Sequence, residues 1–149
     1  MPVQLDIPST HSLKTVQTMP PSHPPNIATK DINSLIATAT ALITSLPPFT
    51  AHTVAAAALT TTGATLTGIN VYHFTGGPCA ELVPLGNAAG AELALMVAVR
   101  NEGRGVLNPC GRCRQVLVEL CPEVRVVVRG GDGWVEVVGV RDLLPWLYR

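Results

Sequence analysis

Two short segments limit what this chain can become. They are Gly76-Gly77-Pro78-Cys79-Ala80-Glu81 and Asn108-Pro109-Cys110-Gly111-Arg112-Cys113-Arg114-Gln115, with Cys110 falling 31 residues after Cys79. Cys110 and Cys113 are three apart, so on a helix they share a face and can bind one ion. Cys79 can add a third thiolate only in a fold that brings its segment against theirs. Each Pro-Cys pair is expected to open a helix, since proline is favoured in the first helical position. There the free N–H groups and the helix dipole favour thiolate over thiol. Three protein ligands leave the fourth tetrahedral position for water, the arrangement of a catalytic zinc site. Zinc lowers the pKa of that water, and Glu81 is placed to move its proton without ligating the metal. Three thiolates on one Zn²⁺ leave a net negative charge, which Arg112 and Arg114 are placed to offset.

Two other readings use the same residues. The four cysteines could close a structural Cys₄ site, but Cys121 lies eleven residues past Cys110, roughly 15 Å along a helix. It reads better as a small core residue. A thioredoxin-like redox pair would leave Cys79 and Glu81 unused.

The rest of the chain reads as an α/β domain behind a tail. Residues 1–29 are rich in proline and polar residues and show no apolar period, so they are expected to be disordered or loosely packed. Residues 30–149 form the expected domain. Leu35, Ile36, Ala39, Leu42, Ile43 and Leu46 have helical spacing, which predicts a helix over Lys30–Leu46, stopped by Pro47 and Pro48. Val54–Thr60 and Thr65–Val71 flank Thr62-Gly63 and predict a β-hairpin. A helix from Pro78, a strand over Leu93–Val99 and a helix from Pro109 to Leu120 follow. Strands over Val124–Arg129 and Trp134–Gly139 and a last helix over Arg141–Leu147 complete the order. Helices interleaved with five strands predict a three-layer α/β/α domain around a mixed five-stranded sheet. Pro84 is expected to kink the second helix.

At the cysteine segments the sequence resembles the cytidine deaminase superfamily, whose zinc signature has a three-cysteine form. The likeness runs from about Asp31 to Tyr148. Its longest stretches are Gly68–Leu82 and Arg104–Leu117, with Arg141-Asp142-Leu143-Leu144-Pro145 near the end. The resemblance implies a zinc-dependent enzyme that hydrolyses the 4-amino group from the cytosine of a nucleoside. It implies Zn²⁺ on Cys79, Cys110 and Cys113, and Glu81 as catalytic acid. It also implies substrate contacts at Thr53, Asn70, Arg104 and Tyr148, and a homotetramer whose sites neighbouring subunits complete. Members that act on cytidine carry Asn-Val-Glu-Asn and an arginine after Cys-Ala-Glu. Here Tyr72 and Leu82 stand in those places, as they do in members that act on the antibiotic blasticidin S. Asn108, Pro84 and His52 differ from that branch too, and the segment between the cysteine motifs is shorter than in it. Ordinary pyrimidine salvage on cytidine or deoxycytidine is the alternative. A zinc-stabilised scaffold without catalysis is a further one, which the intact Glu81 argues against.

Charge narrows the partners. The net charge is zero and charged residues make up 13% of the chain. From Arg100 onward there are eight arginines against six acids. That excess is too thin for a polynucleotide binder, yet ample for arginines that read a small anion, with Arg104 and Arg112 nearest the metal motif. Nucleic acid and membrane partners are not expected. No basic-then-apolar leader is visible, which makes a cytoplasmic address the default. An apolar content of 47% with so few charges suits an oligomer. His52, His73 and Phe74 are expected to pack or to touch the substrate.

Overall fold

The computed structural model describes residues 27–47, 51–103 and 105–148. Its first helix, α1 (Thr29–Thr44), buries Leu35, Ala39 and Ile43, a stripe at four-residue spacing. Asp31 in its first turn suits the helix dipole. The helix stops two residues short of the expected Leu46, because a residue before proline avoids the helical region.

The sheet has six strands, one more than expected. β1 (Val54–Thr60) and β2 (Thr65–Ile69) form the antiparallel hairpin, turning at Gly63 with φ +90°. β3 (Leu93–Arg100) lies at the centre, antiparallel to β1 and parallel to β5 (Arg125–Arg129). β6 (Val135–Gly139) closes the far side antiparallel to β5. The unexpected strand is β4 (Gly105–Leu107), which pairs with the end of β3 from Ala98 to Arg100.

Alternation along β1 and β3 builds two cores. Ala55, Ala57, Leu95, Val97 and Val99 face α1. On the other face Ala58 and Met96 join Leu117 and Val118 of α3 (Gly111–Leu120) and Val126 and Val128 of β5. A strand covered on both faces reads as a continuous apolar run, and Ala55 to Ala58 are all fully buried. The three-layer arrangement expected from the element order is therefore present. In place of the last helix there is a short 3₁₀ turn, Val140–Leu143. Among the described residues no helix is long and apolar enough to cross a membrane.

The second helix corrects two expectations. α2 runs Leu82–Asn87, four residues later than Pro78. Pro84 is thus its third residue, where the missing N–H belongs to the four that no helix satisfies anyway. It costs no helical hydrogen bond and imposes no kink. Pro84 is fully buried instead, over Gly68 of β2, where a Cβ would stand 2.4 Å from Pro84 Cδ. The absent side chain at Gly68 lets α2 sit directly on the hairpin.

Candidate active site

The loop from β2 to α2 carries the first cysteine. Its ends are tied by Val71 N–H donating to the Pro78 carbonyl at 3.1 Å. Gly77 must be glycine for this closure, since a Cβ there would lie 1.9 Å from the Val71 oxygen. Cys79, Ala80 and Glu81 form the turn that enters α2, with Leu82 N–H donating to the Cys79 carbonyl. Ala80 is buried against Ala56 of β1 and Ala98 of β3. Three alanines let this turn lie close on the sheet.

The second segment arrives at the N-terminus of α3. Cys110 is the residue that caps the helix and Cys113 lies in its first turn, fully buried. Pro109 therefore precedes the helix rather than opening it. Arg114 spends its guanidinium on the Pro109 and Leu143 carbonyls, so it braces the turn before α3. Arg112 reaches across to the Gly77 carbonyl at 3.2 Å and links the two cysteine segments.

The three thiols meet. Cys79 Sγ lies 3.8 Å from Cys110 Sγ, and Cys110 Sγ lies 3.6 Å from Cys113 Sγ. All three atoms fall within 4.8 Å of one another. Tetrahedral zinc with Zn–S bonds of about 2.3 Å needs sulfurs about 3.8 Å apart, so the donor set fits that ion. No disulfide links them. Cys113 closes the bottom of the trio and Cys110 is exposed at the top, which leaves one side open.

Glu81 is 6% exposed beside them. Burial raises its pKa above the usual carboxylate value, against smaller opposing contacts from its own backbone and the Cys113 thiol. Burial also pushes the Cys113 thiol far up, helped by the Glu81 carboxylate and the neighbouring thiols. Burial raises Cys79 as well. Burial works the same way on Cys110, but the N–H groups of Cys113 and Arg112 and the neighbouring thiols outweigh it and lower its pKa. The helix-terminus effect expected for both Pro-Cys pairs thus operates at Cys110 alone, because Cys79 stands before α2. Four acidic groups crowded at one point are what a divalent cation relieves.

A cleft of about 320 Å³ opens over these groups, lined by Cys79, Glu81, Cys110, Asn70, His73 and Arg112 among others. That volume suits a small ligand. A larger cavity, about 690 Å³, lies between α2 and α3 and is lined mainly by apolar residues, with Cys121 at its side. It contains none of the clustered groups, so the chemistry belongs to the smaller cleft. Cys121 caps the far end of α3, away from the trio as expected.

The remaining expected contacts divide. Asn70 lines the cleft, yet its Oδ1 accepts from the N–H groups of Thr53 and Val54 at 2.8 Å, and its Nδ2 donates to Thr53 Oγ1. Thr53 thus meets Asn70 at the cleft wall and is not itself among the lining residues. His52 Nδ1 bonds the Asn70 carbonyl, and His73 Nδ1 bonds Thr75 Oγ1. Phe74 is 90% exposed, which rules out packing in the core. Tyr148 is 82% exposed and lies outside the cleft, its backbone held by Gln115 of α3. Arg104 lies outside the described residues, as does most of the tail expected over 1–29. Asn108 and Leu107 also line the cleft, a role the sequence motif did not signal.

No family model matches the chain. It is 33% identical over 103 residues to the cytidine deaminase of Halalkalibacterium halodurans, spanning 66% of this chain and 78% of that protein. It is 28% identical over 135 residues to the blasticidin-S deaminase of Bacillus cereus, spanning 83% and 95%. The crystal structure of the cytidine deaminase from Mycobacterium tuberculosis matches with a TM-score of 0.65 and 32% identity, covering 80% of this chain and 98% of that one. With that identity over most of a cytidine deaminase's length, and three clustered thiols beside a buried glutamate in the shared fold, the chain belongs to the cytidine deaminase family.

Proposed function

We propose that this protein hydrolyses the 4-amino group of a cytosine nucleoside, giving the uracil-type product and ammonia. The observation that carries the reading is the cluster of Cys79, Cys110 and Cys113, two of whose members line one cleft together with the buried Glu81. Zinc held by the three thiolates would supply an acidified water. Glu81 would take one proton from the attacking water and deliver it to ring N3, then take a second from the hydroxyl left on C4 and pass it to the amine as the C4–N bond breaks and the carbonyl forms. Its raised pKa suits a group that must hold a proton part of the time. Asn70, held by Thr53, lines the wall, and Arg112 stands at the rim. Tyr148 reaches a site through assembly, as part of a homotetramer. Tyr72, Phe74, Trp146 and Tyr148 are all strongly exposed, and aromatic surface of that kind marks an interface. A monomeric mass at micromolar protein would refute the assembly. Free thiols suit the reducing cytoplasm.

For the substrate, blasticidin S is favoured. Tyr72 lines the cleft where a ribose-binding glutamate would repel a carboxylate, and Arg104 supplies a guanidinium fork for such a group. Cytidine is the second reading, favoured by the higher identity to a cytidine deaminase than to a blasticidin-S deaminase. Assayed side by side, blasticidin S should be turned over with the higher kcat/KM. Arg104→Ala should raise KM for it by about 10- to 100-fold and spare cytidine, since a charged hydrogen bond contributes about 1.5–3 kcal/mol. A clear preference of the wild type for cytidine would replace the first reading with the second.

A further inference from the structure

The three thiols are not held alike. Cys113 is buried in the first turn of α3. Cys79 precedes Ala80, which is buried against β1 and β3. Cys110 is exposed, so its place depends on the backbone that leads to it. That backbone is short. Only Asn108 and Pro109 separate the end of β4 from Cys110.

The strand pairing leaves the end of β5 without a neighbour on one side. β5 is in register with β3 at Leu95↔Arg125 and Met96↔Val126. From Ala98 to Arg100, β1 holds one edge of β3, so β4 must hold the other, the edge on which β5 began. The last residues of β5 are therefore cut off from β3. The Asn108 side chain takes its place. Asn108 Oδ1 accepts from the Arg129 N–H at 2.7 Å, and Asn108 Nδ2 donates to the Arg129 carbonyl at 2.9 Å. One amide thus makes the paired bonds that a facing strand residue makes in a ladder, and the pair fixes orientation as well as distance. From the other side Arg114 Nε donates to the Pro109 carbonyl at 2.8 Å. Pro109 is buried and has no N–H of its own to satisfy. Asn108 ties the connector to the sheet, and Arg114 ties it to α3.

We infer that Asn108 is a positioning residue for the metal site: its clamp on the Arg129 backbone holds the connector so that the Cys110 sulfur stays 3.8 Å from that of Cys79 and 3.6 Å from that of Cys113. The inference rests on reading the trio as a metal site. Groups that orient a ligand from outside the coordination sphere contribute about 10- to 100-fold to metal affinity or activity. Asn108 is exposed and its two bonds are neutral, so the lower end of that range, about tenfold, is expected.

The test follows transfer of zinc from the loaded full chain to a chromogenic chelator. Asn108→Ala should release the metal about tenfold faster than wild type. Val126→Ala is the control. It opens a cavity in the core beneath β5, so it should lower the melting temperature yet release zinc at the wild-type rate. With Co²⁺ in place of zinc, the thiolate-to-cobalt absorption should change in Asn108→Ala and not in Val126→Ala. At saturating zinc, KM of Asn108→Ala for the nucleoside that wild type turns over should stay near wild type. Asn108→Ser, whose hydroxyl can meet only one of the two Arg129 groups, should fall between and serves if the alanine variant does not fold. Zinc release at the wild-type rate with an unchanged cobalt spectrum overturns the inference, as does equal acceleration in Val126→Ala. A raised KM with zinc release unchanged also overturns it, and makes Asn108 a substrate contact instead. Failure of the underlying reading looks different, since wild type would then take up neither zinc nor cobalt, and the positioning role would fall with the site.

Discussion

Replacing Glu81 by alanine is expected to lower turnover by about 10³-fold or more while fold and zinc are retained. General acid–base work is worth about 10²–10⁴ in rate, and the proposed mechanism uses one carboxyl both at ring N3 and at the leaving amine. The side chain is buried beside three thiols. Its removal therefore relieves desolvation and like-charge crowding, which offsets the poorer packing around the shorter alanine. Ala80, not Glu81, fastens the turn to the sheet. The expected pattern is a collapse of kcat with metal content and melting temperature near wild type, and Glu81→Gln should behave the same way. Activity within tenfold of wild type would remove Glu81 from the mechanism.

Cys113→Ala should release the metal. Two thiols remain in that variant, one of them exposed, and they are too few for a stable tetrahedral site. Zinc analysis of the purified protein should fall from about one per chain to well below it, with activity lost in proportion. Bound metal stabilises the state that binds it, so a chelator should lower the melting temperature of wild type and leave that of Cys113→Ala unmoved. Cys121→Ala, at the other end of α3, should keep both zinc and activity. Full zinc retention in Cys113→Ala would refute the ligand assignment.

Much of this architecture is legible along the chain, and the failures have physical causes. The hairpin at Gly63 and the central strand from Leu93 follow from apolar runs and turn residues that act locally. The cysteine spacing requires two segments to meet, and they do. β4 leaves no trace in the sequence because Gly105–Leu107 is three residues long and becomes a strand only through its pairing with β3. The start of α2 departs from the Pro-Cys pattern because the pull on Pro78 comes from Val71, seven residues earlier, through the hydrogen bond that closes the loop. That shift makes Pro84 harmless. Asn70 matches a sugar contact in sequence, yet most of its hydrogen-bonding capacity holds the start of β1, a demand set by a strand sixteen residues away.

The most direct test of the account is ammonia release. Zinc-loaded wild type should convert a cytosine nucleoside, blasticidin S or cytidine, with one ammonia formed per ring whose 4-amino absorbance is lost. The Glu81→Ala protein, assayed beside it with equal zinc, should release none above background. No ammonia from either nucleoside with fully loaded wild type, or equal release from both proteins, would contradict it.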